Sequence, residues 1–148
     1  MRATKEKLFL QQIRKLTKLI ENKMAEVRQL KELASGATGD LTGDRVQSTP
    51  NPYRIAETIA KYLDLEKEIK EDIDRLIDAR RDIISVIEQL NTVEYDVLHK
   101  LYVQNFTFQD VATAYDMSYS WATTVHGRAL KHVRKILDER EEMIDENN

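Results

Sequence analysis

Residues that break helices are confined almost entirely to one short stretch of this chain. Four Gly and two Pro occur among 148 residues, and all of them except Gly127 lie between positions 36 and 52. Because Gly and Pro are the residues least compatible with a helix interior, the sequence on either side of that stretch can form long helices. Charged residues make up 33% of the chain and aromatic residues 7%, a balance typical of helix-rich proteins that contain coiled coils. The sequence therefore predicts an all-α fold.

Two long helices are predicted around this stretch. Over residues 4–34, apolar side chains recur at steps of three or four, and Ser35 and Gly36 mark the end of the helix. Over residues 53–90, an apolar repeat of 3.5 residues is sustained, which indicates a coiled coil. Its seam positions are 55, 59, 62, 66, 69, 73, 76, 80, 83, 87 and 90, all apolar except Glu66 and Arg80.

The two predicted helices carry opposite charge. Residues 1–34 have a net charge of +5 and residues 51–91 a net charge of −3, so their pairing is electrostatically favourable. We expect residues 1–91 to form a long antiparallel coiled-coil hairpin. Residues 36–52 then form a flexible loop or, alternatively, a binding loop. Because two helices make a thin core, we expect the hairpin to bury its remaining apolar face against a second copy, which gives a homodimer.

Residues 92–137 predict three short amphipathic helices, with a tight turn between the second and the third. Thr107 is a favourable N-cap, and Asp110 follows it by three residues. Asp116 occupies the turn, and Ser118 caps the third helix. The apolar face of that helix consists of Ala122, Val125, Ala129, Leu130, Val133, Ile136 and Leu137. A helix-turn-helix of this kind places one helix in the major groove of DNA.

The opposite face of the third helix carries side chains that can hydrogen-bond to base edges and phosphates. Helix N-termini, here near Thr107 and Ser118, also favour phosphates. Gly127 costs the helix about 1 kcal/mol relative to Ala, but its missing side chain allows a close backbone approach. Trp121 is expected in the core, whereas Tyr119 fits either the core or DNA. The candidate DNA-binding residues are Thr107, Ser118, Tyr119, Ser120, Thr123, Thr124, Gly127, Arg128 and Lys131.

The sequence lacks the residues that several classes of protein require. Without Cys there is no disulfide framework, thiolate nucleophile or Cys-based zinc site. His126 and His132 are six residues apart and His99 lies on another helix, which is not a metal-ligand spacing. No glycine-rich phosphate loop and no nucleophile elbow occurs. We therefore expect a non-enzyme that has neither a metal nor a cofactor.

The sequence also gives an expectation for cellular location. No apolar run approaches the length of a membrane span, and the N-terminus lacks the apolar segment of a signal peptide. We therefore expect a soluble, cytoplasmic protein that has no membrane partner.

Four motifs within residues 92–137 match a known family. They are the apolar pattern Leu98, Leu101 and Tyr102, the stretch Phe108–Ala112, Ser118 at the start of the third helix, and the basic stretch Arg128–Lys131. Together they resemble region 4 of sigma-70-type transcription factors. Two positions depart from that family's pattern. Asp116 replaces the usual Gly of the turn, and Ala122 replaces a larger aliphatic residue whose volume Trp121 can supply.

Three further stretches extend the likeness over the whole chain. Gln12–Leu16, Gly43–Ser48 and Leu98–Val103 are similar to sigma-region-4-like proteins of phages and prophages of Gram-positive bacteria. Related regulators of the ArpU and RinA type activate late or packaging genes. The resemblance implies a transcriptional regulator that binds double-stranded DNA in the bacterial cytoplasm, associated with the nucleoid. It implies RNA polymerase as a further partner.

The charge of the helix-turn-helix leaves two other functions open. Residues 92–137 have a net charge of only +1, so dimerisation, a second basic surface or a polymerase partner is needed for tight DNA binding. One alternative is a DNA-packaging recognition subunit of the small-terminase kind, although there the helix-turn-helix usually comes first. The other is a polymerase-binding protein that does not bind DNA. Residues 138–148 form an acidic tail of net charge −5, expected to be solvated surface or, alternatively, to mask the basic surface.

Overall fold

The computed structural model describes residues 3–36 and 51–148, and both ranges are helical, without a strand. This confirms the all-α class. The helices are α1 (Lys5–Leu10), α2 (Gln12–Ser35), α3 (Pro52–Ile87), α4 (Thr92–Leu98), α5 (Phe108–Tyr115) and α6 (Tyr119–Glu146). A π-helical turn, His99–Val103, continues α4. The loop predicted for residues 36–52, with its alternative as a binding loop, lies outside the described residues from position 37 to position 50.

The chain divides into two compact units. One consists of Met1–Lys15 together with Leu76–Asn148, and the other of Leu16–Arg75. The boundaries predicted at residues 91 and 137 do not coincide with this division. The reason is that apolar residues near the start of the chain and at the end of α3 pack against α6.

The first predicted helix is interrupted once. Gln11 separates α1 from α2, although its N–H donates to the Lys7 carbonyl (2.9 Å) and its carbonyl accepts from the Lys15 N–H (3.0 Å). The side-chain amide of Gln12 donates to the Phe9 carbonyl (2.8 Å). A side chain inserted into the backbone ladder is a known cause of such a break. At the other end, α2 stops where predicted, with Gly36 in the left-handed region at φ +74°.

The buried face of α3 differs from the predicted seam. Positions 73 and 80 are exposed, and the residues just before them, Asp72 and Ala79, are buried instead. Asp72 tolerates burial because Lys23 Nζ lies 2.6 Å from one of its oxygens and Arg75 2.8 Å from the other. The seam was predicted from the spacing of apolar residues, so it placed Ile73 on the buried face instead of the preceding Asp72. The helix also ends at Ile87, before position 90.

Ion pairs connect α2 and α3 at two levels. Besides the contact between Lys23 and Asp72, Lys31 Nζ lies 3.0 Å from a Glu66 oxygen. Lys23 precedes Lys31 along α2, whereas their partners Asp72 and Glu66 occur in the reverse order along α3. The helices are therefore antiparallel within the unit Leu16–Arg75.

The apolar face of α6 contributes to two cores in the other unit. The main core contains Leu10, Ile13, Ile83, Val86, Ile87, Leu98, Ala129, Leu130, Val133 and Leu137. The small core contains Val97, Leu101, Val111, Ala112, Ala122 and Val125. The apolar face that the sequence predicted for α6 is thus confirmed, with Ile136 half-buried at its edge.

The acidic tail is part of α6, which continues to Glu146. Lys5 of α1 contacts Asp138 and lies 2.9 Å from a Glu141 oxygen. The hydrogen bond with Asp138 raises the pKa of Lys5 and lowers the pKa of Asp138. The tail carboxylates that form ion pairs in the described parts of the chain therefore bind cations outside the predicted DNA-binding set. This gives no support to a masking role for the tail.

No helix within residues 3–36 or 51–148 combines the length and the apolar character that crossing a bilayer requires.

Candidate nucleic-acid interface

The turn between α5 and α6 closes in a left-handed residue. Asp116 has φ 54° and ψ 43°, the left-handed turn geometry expected for this position. The Met117 N–H donates to the Ala112 carbonyl (2.9 Å), and the Asp116 N–H donates to the Thr113 carbonyl (3.1 Å). This pair of bonds is a Schellman motif, and Asp is one of the few residues other than Gly that adopts its left-handed conformation readily. The turn therefore ends α5 and directs the chain into α6.

Both predicted N-caps are confirmed. The Thr107 hydroxyl accepts from the Asp110 N–H (3.0 Å), and the Asp110 carboxylate accepts from the Thr107 N–H (2.9 Å). The Ser118 hydroxyl accepts from the Trp121 N–H (3.0 Å). Each hydroxyl oxygen is thus committed to its own helix. Only the hydroxyl protons and the first-turn amides other than those of Asp110 and Trp121 are left to bind an external phosphate.

Five of the predicted DNA-binding residues lie on one exposed strip of α6. These are Ser120, Thr124, Gly127, Arg128 and Lys131, which follow each other at steps of one to four residues. Within the described parts of the chain, neither Arg128 nor Lys131 has an ion-pair partner. Lys135 continues the strip at a step of four. Sequence reasoning missed this residue, although its spacing from Lys131 made it visible. We refer to these five residues together with Lys135 as the exposed strip.

Three aromatic and hydroxyl residues of the first turns lie off this strip. Thr123 is half-buried, and its hydroxyl donates to the Ser120 carbonyl (2.9 Å). Tyr119 is 55% exposed and packs edge-on against Phe108, with ring centroids 5.9 Å apart. Trp121 is half-buried beside Tyr115 at 5.0 Å, so it packs on the small core as expected. Thr123 is therefore less available to a ligand than the residues of the strip, whereas Tyr119 remains exposed.

Gly127 has open space where a side chain would be. A Cβ built there meets no atom within 4 Å, so no packing contact within the described chain requires a Gly. A backbone approach of the kind predicted for this position is not made by the described residues. Any such approach would come from a binding partner.

A groove of about 650 Å³ lies beside the starts of α5 and α6. Its charged lining residues are Lys7 and Arg14, and its rings are Tyr102, Phe106, Phe108, Tyr119 and His126. We call it the basic groove. Of the predicted DNA-binding residues, only Thr107 and Tyr119 line it. Lys7, Gln11 and Arg14 were missed because they come from a distant part of the sequence, and no local pattern connects them to Thr107 and Tyr119.

Two neutral polar rings form the wall of the basic groove. The Tyr102 hydroxyl and His126 Nε2 are hydrogen-bonded at 2.6 Å, and Phe108 meets the His126 ring edge-on at 5.0 Å. Burial, followed by the charge of Lys7, lowers the pKa of His126 to about 4. Burial raises the pKa of Tyr102 to about 12. At neutral pH the positive charge of the groove therefore comes from Lys7 and Arg14.

The carboxylates of α4 are bound internally. Buried Glu94 accepts from the Asn91 amide (2.7 Å) and lies 2.5 Å from His132 Nδ1. Asp96 accepts from the Tyr115 hydroxyl and from Lys100 Nζ (3.0 Å). Burial opposes the ionisation of Asp96, but these two hydrogen bonds outweigh it and hold its pKa below the usual range. Both carboxylates fix α4 to neighbouring helices.

Neither a metal site nor a known relative adds to this description. Among residues 3–36 and 51–148, no group of three or more potential ligands lies close enough together to hold a metal ion. Comparisons with protein-family models, with curated proteins and with solved structures found no significant match to the chain. The function is therefore inferred from the geometry of the exposed strip and the basic groove.

His126 is expected to make the stability of the protein dependent on pH between about 6.5 and about 4. Above this window the ring is neutral in both the folded and the unfolded state. Within it, the unfolded chain binds a proton that the folded protein does not, so the free energy of unfolding falls as the pH falls. The slope is less than about 1.4 kcal/mol per pH unit, because the ring is partly exposed.

Urea unfolding at several pH values, followed by the emission of Trp121, measures this slope. The variant His126→Gln cannot take up the proton and should lose that part of the slope. Parallel pH profiles for the wild type and His126→Gln would show that the ring does not titrate as described.

Proposed function

We propose that this protein is a transcriptional regulator of the phage sigma-region-4-like kind, which binds duplex DNA by placing α6 in the major groove. The observation that carries the proposal is the exposed strip of α6. Its polar residues and its cations have no ion-pair partner in the described chain, and they lie opposite a face that is buried in two cores. The recognition helix of a helix-turn-helix needs an apolar face that packs on the protein and an opposite polar face that is free to contact DNA.

The strip divides by chemistry into two parts. Ser120 and Thr124 carry hydroxyl groups, which can donate to or accept from base edges in the major groove. Arg128, Lys131 and Lys135 carry charges suited to phosphates on the flanking backbone. Uncharged groups therefore lie toward the start of α6 and charged groups toward its middle. This order suits a helix whose N-terminal residues contact bases.

We further propose that α2 and α3 form an antiparallel coiled-coil hairpin that associates with a second copy of the chain. Large apolar residues of the unit Leu16–Arg75 are 40–59% exposed, namely Leu19, Met24, Leu33, Leu63 and Ile73. In a two-fold dimer the basic α2 of one copy can meet the acidic α3 of the other, so charge complementarity favours a self-association. A homodimer also doubles the number of DNA contacts, which compensates for the low charge of one helix-turn-helix.

The first test of DNA binding uses the cations of the strip. Arg128→Ala and Lys131→Ala should each weaken binding to all sequences alike, and each should reduce the slope of log K against log salt by about 0.9. Thr124→Ala should instead relax the preference at one base position, at a cost of about 1–3 kcal/mol. Gel shifts on duplex DNA over a range of salt concentrations measure both effects.

Lys61→Ala is the charge-matched control, because Lys61 is an exposed cation of α3 outside the helix-turn-helix. The slope of log K against log salt for Lys61→Ala should equal that of the wild type. If Arg128→Ala, Lys131→Ala and Thr124→Ala all bind like the wild type, α6 does not face DNA. The polymerase-binding function would then be the better explanation.

Substitution of Gly127 tests the stability of the fold and the affinity for DNA separately. Gly127→Ala should raise the free energy of unfolding by about 1 kcal/mol, since Ala is the better helix former and its Cβ meets open space. If DNA approaches the helix at this position, the same variant should bind DNA more weakly. Urea unfolding and gel shifts on one preparation give both values. A variant that gains stability and keeps full affinity would show that the DNA does not come close to Gly127.

Light scattering tests the dimer. At micromolar concentration the wild type should have twice the mass of one 17.3 kDa chain. Ile73→Lys places a charge on the proposed contact and should give a monomer. Leu8→Lys makes the same kind of change at an exposed residue of α1 and should remain dimeric. A monomeric wild type would contradict self-association. RNA polymerase would then be the better candidate partner for this apolar surface.

A further inference from the structure

The fold brings cations from the start of the chain to the helix-turn-helix. Lys7 of α1 and Arg14 of α2 are separated by seven residues, about two helical turns, and both line the basic groove. The groove also contains Thr107 and Tyr119, which open α5 and α6. A module with a net charge of only +1 over residues 92–137 thus acquires two more positive charges through tertiary structure.

The charge of both cations is uncompensated. Lys7 has no ion pair or side-chain hydrogen bond within the described chain. Arg14 donates to the Asn105 side-chain oxygen (3.2 Å) and to the Leu101 carbonyl (3.3 Å), which are both neutral acceptors. These bonds orient the guanidinium but leave its charge available. The field of Lys7 reaches His126 and that of Arg14 reaches Tyr102, as expected for cations that face the groove.

Two acidic residues are sequence neighbours of the groove lining but are not part of it. None of the described residues that line it is an Asp or a Glu. Glu6, next to Lys7 in the sequence, is buried and lies 3.6 Å from Arg134. Asp110, in the first turn of α5, follows the lining residue Gln109, and its carboxylate accepts from the Thr107 N–H. An anion that enters the groove therefore meets two cations and no carboxylate among its lining residues.

We infer that the basic groove binds a backbone phosphate of the duplex that α6 reads, with Lys7 and Arg14 as the source of charge. This inference rests on the proposed function. In a helix-turn-helix complex the first helix crosses the DNA backbone while the N-terminal residues of the recognition helix contact bases, so a groove beside the starts of α5 and α6 lies near that backbone. The Phe108 and Gln109 amides in the first turn of α5 can add hydrogen bonds there, because the capping box uses only the amides of Thr107 and Asp110.

The aromatic residues favour a duplex phosphate over a free nucleotide. Phe108 and Tyr119 contact each other with an interplanar angle of 62°, and Phe108 meets His126 at 83°. Rings in such edge-to-face contact leave no parallel slot between them, and the nearly parallel rings of Tyr102 and His126 (24°) have centroids only 5.8 Å apart, too close for a base to enter between them. They form a wall that excludes water on one side of the phosphate, and the other side stays open to a large ligand.

Fluorescence anisotropy with a labelled short duplex of mixed sequence tests the inference. Phosphate contacts are independent of sequence, so the true operator is not needed. Lys7→Gln removes one charge from the groove and should reduce the slope of log K against log salt by about 0.9. Lys15→Gln is the matched control, because Lys15 is an exposed cation one residue after Arg14 that does not line the groove. Its slope should equal that of the wild type.

The comparison with the exposed strip separates two kinds of failure. If Arg128→Ala and Lys131→Ala reduce the salt slope and Lys7→Gln does not, the groove assignment is wrong while α6 still binds DNA. If the wild type does not bind the duplex even at low salt, both the inference and the proposed function are wrong. Arg14→Gln is a second groove variant, and its unfolding curve is measured alongside because Arg14 also binds Asn105 and Leu101.

Deoxyadenosine monophosphate distinguishes a free phosphate ester from the duplex. It should show no saturable binding to the wild type, as followed by nuclear magnetic resonance of the His126 ring. Saturable binding that is lost in Lys7→Gln, together with an unchanged duplex salt slope, would overturn the duplex assignment. The groove would then belong to a nucleotide.

Discussion

The burial of one face of α6 determines the arrangement of the rest of the candidate interface. Ala122 and Val125, in the first turns, pack into the small core, whereas Ala129 to Leu137 pack into the main core. The two cores hold the helix along much of its length, so it cannot rotate about its axis without exposing apolar side chains. The direction of the exposed strip is therefore fixed by packing on the opposite side. Small residues at positions 122 and 129 allow the neighbouring helices to approach closely.

The distribution of ion pairs separates structural charges from available ones. Some carboxylates in the same unit as α6 bind internal partners, such as Glu94 with His132 and Asp96 with Lys100. The cations of the exposed strip and Lys7 of the basic groove have no such partner in the described chain. A net charge calculated over a segment of sequence does not include charges that the fold brings in from elsewhere. The positive charge around α6 exceeds the +1 of residues 92–137 because Lys7 and Arg14, from the start of the chain, line the basic groove.

Local features of this chain could be predicted from its sequence, since they depend on neighbours within one or two helical turns. The caps at Thr107 and Ser118, the left-handed Asp116 and the apolar face of α6 are of this kind. Each depends on the conformational preference or the spacing of a few residues. The same reasoning identified the strip residues from Ser120 to Lys131 as exposed.

Features that depend on distant partners could not be predicted in this way. Asp72 is buried because Lys23, from another helix, lies 2.6 Å away, and no pattern within α3 indicates that contact. The basic groove combines Lys7 and Arg14 with residues about a hundred positions later. The break at Gln11 is accompanied by a side-chain bond from Gln12 to the Phe9 carbonyl, which apolar periodicity does not indicate. Non-local pairing therefore limits what periodicity can establish here.

The acidic end of α6 has a structural consequence for the basic groove. Lys5 binds Asp138 and Glu141, and Glu6 lies beside Arg134, so two successive residues of α1 are held against α6 by charge. Leu10 anchors the end of the same short helix in the main core. A helix of six residues is not stable by itself, so these contacts maintain α1 and, with it, the position of Lys7. The tail carboxylates thus stabilise the helix that supplies a cation to the groove.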